Sequence, residues 1–424
     1  MRQRQSKGSN HVGTTQINQE PGGDTKAILD GLGAFTDHEI VPIEEEYKEF
    51  LDDPRQVYDA AGAYSAQMRE LMRRARTAAA SAGYYSMFVP TELGGGGQGP
   101  ALHYAAWEYL HHRYGPGRVL PYQTVSHWAT GPSHLCSAMS PELKAEVLEE
   151  IMSGEAALCF ALSEPDAGSD AWSMTTRAER DGDEWHITGT KQWISYSPIA
   201  KYAVVFAVTN QEQREKRSGG ISAFLVPTAS RGFRVDSVIK LFGEIGGNEA
   251  IISFDDVRVP NKNLLGDVDR GFSLALGGVS LGRMFNAGRC VGLARWALER
   301  ATDYAKERKT FGHPISDYQG VSFMLADCAI DIYAAKTMSV DCAARMERGE
   351  GAVREMNMVK AFTTEMCSRV YDRCMQVHGG MGLTNELRLY DGWHQARIVR
   401  IADGSGEVMR RNVARSLLKG DVAF

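Results

Sequence analysis

Apolar residues recur at spacings of three and four across residues 57–82 (Ala60, Ala61, Tyr64, Met68, Leu71, Met72), which predicts an amphipathic helix there. The same signature continues to about residue 155, with a further helix expected over 101–112. Before it lies a glycine run at 94–97. It follows a Pro-containing turn and no strand–helix–strand unit surrounds it, so it reads as a flexible turn and not as a dinucleotide fingerprint. From residue 156 the period shortens. Residues 177–195 read as a hairpin turning at Asp181-Gly182-Asp183, and 204–208, 221–226, 233–238 and 250–259 are further β-rich runs. Such spacing predicts an antiparallel sandwich or barrel and not a parallel sheet. From residue 271 the helical period returns, most clearly over 285–307, 318–348 and 353–378. Long helices joined by short loops predict an antiparallel bundle. The stripe Met356, Val359, Met366, Val370 reads as its core.

The expected fold is therefore α+β and multidomain. It comprises a helical domain (29–155), a middle antiparallel β-sandwich or barrel domain (156–269) and a C-terminal four-helix bundle domain (270–424). A length of 424 residues exceeds what one simple core usually serves. Residues 1–28 are expected to form a disordered tail, since 1–24 are polar and lack the apolar segment of a secretory signal.

Charge narrows the function. Lys plus Arg number 47 and Asp plus Glu 53, a net charge of -6, which disfavours nucleic acid or an anionic membrane as partner. No apolar run is long enough to span a bilayer. The seven cysteines form no CxxC pair and read as buried free thiols of a reducing compartment, so the expected location is the cytoplasm, or the mitochondrial matrix in a eukaryote. There is no HExxH, no P-loop and no nucleophile elbow, which removes the simple metal and nucleophile classes.

Four segments carry the candidate chemistry: 160–170 (FALSEPDAGSD), 191–195 (KQWIS), 308–312 (RKTFG), and 376–382 (QVHGGMG) followed by 401–405 (IADGS). Each alone could be a turn. Together, and in this order, they resemble the acyl-CoA dehydrogenase family over about residues 29–420. ALSEPDAGSDAWS is similar to the family's first signature and QVHGGMGLTNELRLYDGWHQARIVRIADGS to its second, while FDDVRVPNKNLLG and RKTFGHPISDYQGVSFMLAD match two further family segments.

The resemblance implies an FAD-dependent dehydrogenase. Phe160, Leu162 and Ser163 match the segment lining the flavin ring, Ser163 and Ser195 the hydroxyls at its polar edge, and Trp193 the aromatic ring packed on it. Arg308 and Phe311 match residues that reach the FAD of a neighbouring subunit, Arg308 toward its pyrophosphate, where a guanidinium fork suits two phosphates. Gln376 and Gly380 match the adenosine and pyrophosphate contacts of that shared site, and Ser405 and Glu407 a second set of FAD contacts. The implied assembly is a homo-oligomer, a dimer or a tetramer. Ser169 matches a hydroxyl on the CoA arm, and Arg283 an arginine near the CoA-binding helix whose other reading is a structural ion pair.

The base position of the family falls on Asp403, where the usual residue is Glu. Some members instead carry Glu just before the arginine matching Arg283; here that residue is Gly282. By the resemblance, Asp403 removes the substrate's α-proton while the β-hydride goes to flavin, its backbone N–H and Gly404 lie against the thioester, and electrons pass to an electron-transfer flavoprotein. A free Asp, with a pKa near ~3.9, is a weak base, so burial should raise it. Asp is also one methylene shorter than Glu, so either the backbone sits closer or the substrate differs. Two other readings stay open: a flavin oxidase of the same fold, similar to nitroalkane oxidase, and a non-catalytic assembly or binding paralogue.

Overall fold

The computed structural model describes residues 23–420. Helices α1 (Gly23–Phe35), α2 (Val41–Glu46), α3 (Lys48–Leu51), α4 (Pro54–Val57), α5 (Ala66–Ser81), α6 (Pro100–Tyr114) and α7 (Pro141–Met152) precede the first strand. Residues 23–28 of the expected tail are thus helical. Leu29 and Leu32 bury against Leu102, Trp107 and Leu110 of α6, and that apolar stripe carries the preceding turn into the helix. Residues 1–22 lie outside the described residues.

Two N-terminal expectations need correction. Helix α5 begins at Ala66 because Ser65 caps it, its Oγ accepting from Met68 N at 3.4 Å. The preceding residues turn around Asp59, whose Oδ1 accepts from the backbone N–H of Ala61 and Ala63. The glycine run is no flexible turn either. Gly95, Gly96 and Gly97 donate to the carbonyls of Pro90, Ser86 and Val89, and a Cβ on Gly95 would stand 2.2 Å from Val89 O. Glycine is there for close backbone approach.

The strands are β1 (Leu158–Ala161), β2 (Arg177–Asp181), β3 (Glu184–Ser195), β4 (Tyr202–Val208), β5 (Ile221–Pro227), β6 (Phe233–Val238), β7 (Glu249–Pro260) and β8 (Leu264–Leu265), with the short helix α8 (Gln211–Glu215) between β4 and β5. They form one sheet in the order β6-β7-β3-β2-β4-β5-β8, and β1 adds to β4. The β2–β3 hairpin turns where the sequence places it. The pairing is not wholly antiparallel: β1 runs parallel to β4, and β2 meets β4 in parallel at Arg177 and Val208. Strand β4 is buried throughout, and its alternate residues serve two cores. Val204, Phe206 and Val208 face the α7 side, whereas Ala203, Val205 and Ala207 join residues of β3 and β7, so the sheet curls around this second core.

From Gly271 the chain is helical: α9 (Gly271–Glu307), α10 (Gln319–Glu347), α11 (Val353–His378), α12 (Leu389–Val399) and α13 (Gly406–Leu418). The core between α9, α10 and α11 contains Val291, Ala294, Cys328, Ile332, Met366 and Val370. Helix α9 extends fourteen residues before the apolar period becomes legible, because its first half is glycine-rich. Those glycines take neighbours directly onto the helix backbone. A Cβ at Gly278 would stand 2.4 Å from the Trp128 ring, and one at Gly288 would stand 2.6 Å from Tyr104 O of α6. All seven cysteines are free and buried, and no described helix is long and apolar enough to cross a membrane.

Candidate active site

Asp403 sits in the loop between α12 and α13 with left-handed backbone, φ 54°, followed by Gly404 at φ 93°. Asp tolerates that conformation better than most side-chain-bearing residues. The loop is fixed from two helices. Lys360 of α11, fully buried, donates to the carbonyls of Gly404 and Arg400. Arg283 of α9 donates through Nε to Asp403 O at 3.3 Å.

The carboxylate faces α9. Asn286 Nδ2 donates to Asp403 Oδ2 at 2.7 Å. A Cβ at Gly282 would lie 2.7 Å from that same oxygen and 2.6 Å from Trp128 Nε1. The shorter acid is thus accommodated by a helix that comes close at a residue without a side chain. The indole Nε1 of Trp128 is buried with no hydrogen-bond partner among the described residues, which leaves a donor free beside the Asp403 carboxylate.

Burial raises the Asp403 carboxyl above its ordinary value, against the opposing pull of Lys360, the Asn286 hydrogen bond, Arg283 and Arg289. The raised acid is the better proton acceptor. Burial likewise drops the Lys360 ammonium to about 8, with Asp403 holding it up.

Gly282→Ala is expected to fold and bind flavin but turn over about 100-fold more slowly. Its methyl group displaces the carboxylate or the Trp128 indole by about 1 Å, and overpacking costs about 1–3 kcal/mol. Steady-state rates alongside thermal melts check this; a variant with normal kcat would show that the Gly282 contact is irrelevant to the base.

The opposite wall is built from the ends of β1 and β3. Gln192 N donates to Ser163 O at 2.9 Å, which brings the 160–163 segment beside 191–195. Below them Lys191 and Glu164 form an ion pair at 2.9 Å, with side chains 0% and 4% exposed. Lys191 Nζ also donates to Leu162 O at 3.0 Å, and Glu164 accepts from the N–H of Thr175 (2.7 Å) and Thr176 (3.0 Å). Burial opposes both charges. It lowers the ammonium to about 8, whereas the carboxylate, desolvated but facing Lys191 and these N–H donors, is held at about 2. Phe160 meets Trp128 edge-on at 4.8 Å, so Trp128 spans from this wall to Gly282, beside Asp403.

Trp193 is 53% exposed with φ 65°. A large indole left open in left-handed backbone is an unfavourable arrangement for folding alone. Ser195 Oγ donates to Glu249 Oε1 at 3.2 Å. An open aromatic face with part-buried hydroxyls beside it fits a planar ring with polar edges, and the donor set suits a flavin.

The remaining candidates stand apart. Ser169, Gln376, Gly380 and Glu407 are exposed. Ser405 caps α13, its Oγ accepting from Val408 N at 3.4 Å. Arg308 caps the far end of α9, 25 residues or about 37 Å of helix from Arg283. Phe311 is 95% exposed with φ 53°.

Asn286, Trp128, Lys360, Glu164 and Lys191 are additions that the sequence reading did not single out. Two left a trace: Asn286 is a polar residue one turn after Gly282 on a buried stretch of α9, and Lys191 occupies an inward position of β3.

Residues 159–257 match the acyl-CoA dehydrogenase middle domain and residues 269–418 the acyl-CoA dehydrogenase C-terminal domain. The caffeyl-CoA reductase-Etf complex subunit CarC of Acetobacterium woodii is 34% identical over 337 residues, 80% of this chain and 87% of that protein. The mitochondrial short-chain specific acyl-CoA dehydrogenase of Sus scrofa is 33% identical over 339 residues, 80% of each chain. The butyryl-CoA dehydrogenase structure from Megasphaera elsdenii superimposes with a TM-score of 0.77 at 24% identity, covering 94% of this chain and 99% of that one, a likeness of fold.

Proposed function

Since the chain belongs to the acyl-CoA dehydrogenase family of FAD-dependent oxidoreductases, we propose that Asp403 removes the α-proton of an acyl-CoA, which leaves as the 2,3-enoyl-CoA. The observation that carries this reading is the part-buried Asp403 carboxylate, oriented by Asn286 and pressed against Gly282. FAD, when bound, supplies the acceptor for the β-hydride. Phe160, Leu162, Ser163, Trp193 and Ser195 would hold its ring. Asp403 takes the proton on its carboxylate, while its own N–H, in the turn held by Lys360 and Arg283, polarises the thioester carbonyl. The Asn286 donor stabilises the charged form of the base and aims it. Gly404 lies beside the thioester, and Ser169 and Arg283 meet the CoA arm.

Arg308, Phe311, Gln376 and Gly380 are assigned to the FAD of a second copy, with Ser405 and Glu407 as further contacts. The separation along α9 supports this: an arginine about 37 Å of helix from the base serves a different site than its own. The exposed Phe311 is then covered in a dimer or tetramer. The reoxidising partner is an electron-transfer flavoprotein, a reading supported by the relative named as part of an Etf complex.

Anaerobic titration of the flavin-loaded protein with a panel of acyl-CoAs tests the proposal. The flavin band bleaches with at least one of them, and reoxidation is fast with an electron-transfer flavoprotein and slow in air. Failure across straight, branched and charged acyl groups, or rapid peroxide formation from a CoA-free carbon acid, contradicts it.

A further inference from the structure

Arg289 is a half-buried cation that forms no ion pair among the described residues. Its Nε is enclosed and has no hydrogen-bond partner, and no carboxylate lies within ion-pair distance of it among the described residues. Its guanidinium lies over the Phe285 ring at 5.8 Å. Phe285 in turn meets Trp107 and His127 edge-on, each at 4.6 Å, and His111 stacks on Tyr122 at 4.3 Å. Burial first, then Arg289 itself, lowers His111 and His127 to about 3, so both rings are neutral. Glu249 acts on Arg289 only from a distance and is engaged by Ser195. Burial pulls the guanidinium below its ordinary value. A half-buried cation whose Nε is enclosed and unpartnered, lying over one ring of a neutral aromatic cluster, is an arrangement that an arriving anion would complete.

The cage is aligned with the base. Gly282, Asn286 and Arg289 share one face of α9, seven residues or about 10 Å from first to last. Helical side chains lean toward the N-terminus, so Arg289 leans toward Asn286. The Asp403 carboxyl feels its charge. An acyl chain whose α-carbon lies at Asp403 and which runs along this face ends at the guanidinium.

We propose that Arg289 receives a carboxylate at the far end of the acyl group, so that the preferred substrate is a dicarboxylic acyl-CoA or one with an equivalent anionic terminus. This rests on the dehydrogenase reading above and adds the substrate class. The pairing is charge-assisted and bidentate, which a methyl terminus cannot provide.

The test pairs ω-carboxyl acyl-CoAs of about four to eight carbons with their methyl-ended counterparts, on wild type, Arg289→Met and Arg289→Lys. Flavin content, kcat/KM and calorimetric dissociation constants are all measured. Wild type is expected to favour the carboxylated member of the best pair by about 100-fold or more. Arg289→Met should bring that ratio to within about tenfold of unity, Arg289→Lys should recover part of it, and flavin content should stay level. An unchanged ratio in Arg289→Met, or a wild-type preference for methyl ends, overturns the inference while leaving the dehydrogenase reading intact. Loss of flavin from Arg289→Met also overturns it, by making Arg289 a cofactor residue. If no acyl-CoA reduces the flavin, the dehydrogenase reading fails, and the ratio of dissociation constants still decides whether Arg289 selects an anion.

Discussion

Asp403→Asn is expected to retain FAD and lose turnover by about 100- to 10,000-fold, the range typical of a positioned general base. Asn is nearly the same size, accepts the left-handed backbone at this position, and keeps an oxygen for Asn286 to donate to. The loop therefore keeps its shape, and the flavin spectrum should be unchanged. What is lost is the proton acceptor.

The pH dependence follows from the direction of the shift. Burial raises the Asp403 carboxyl, and the base works only when ionised. In wild type, kcat/KM should fall as pH drops through this raised value, with an acid limb above the ordinary Asp range. Asp403→Asn should lack that limb in its residual activity. A variant with wild-type rates would place the base elsewhere.

The second large effect lies beneath the wall formed by the ends of β1 and β3, which is proposed to hold the flavin. Lys191→Met is expected to destabilise the protein by about 3–5 kcal/mol, because it leaves the Glu164 charge buried and unpaired. It also removes the donor to Leu162 O, so the 160–163 segment loosens and FAD binds more weakly. The double variant Lys191→Met, Glu164→Gln should recover much of the loss. The sign with pH is specific. In wild type the Glu164 carboxyl is depressed to about 2, so its contribution is present above the unfolded value and is lost as pH falls through 2. In Lys191→Met the carboxyl rises and the defect shrinks on acidification. Urea unfolding at several pH values reads both; a pH-independent loss below 1 kcal/mol would mean the pair is not structural.

The legible parts of the fold are those with local periodicity. The β2–β3 hairpin announces itself through Asp-Gly-Asp, β4 through an unbroken apolar run, and α11 through its stripe of Met356, Val359, Met366 and Val370. Where the sequence misleads, a distant partner decides. The helix expected from residue 271 is present, but its glycine-rich first half is explained only by Trp128 and α6, which lie on those glycines. The parallel pairing of β1 with β4 joins strands some forty residues apart, and nothing in either strand specifies direction.

The site divides the same way. Asp403, Ser163, Trp193 and Arg308 stand within recognisable segments. Asn286 reaches Asp403 across 117 residues, and Lys360 and Trp128 arrive from two further helical or loop segments. No spacing within one segment encodes such a meeting. Gly282 was legible only as an absence; in three dimensions that absence is the room the shorter acid uses.

The claim that Asp403 is the proton acceptor is tested most directly by deuterium exchange. The flavin-loaded protein is incubated anaerobically in D2O with the acyl-CoA that bleaches it best, and deuterium at the α-carbon of recovered thioester is measured by mass spectrometry for wild type and Asp403→Asn at equal flavin occupancy. Wild type is expected to exchange, and Asp403→Asn to show none above the uncatalysed level. Equal exchange by the two proteins would contradict it.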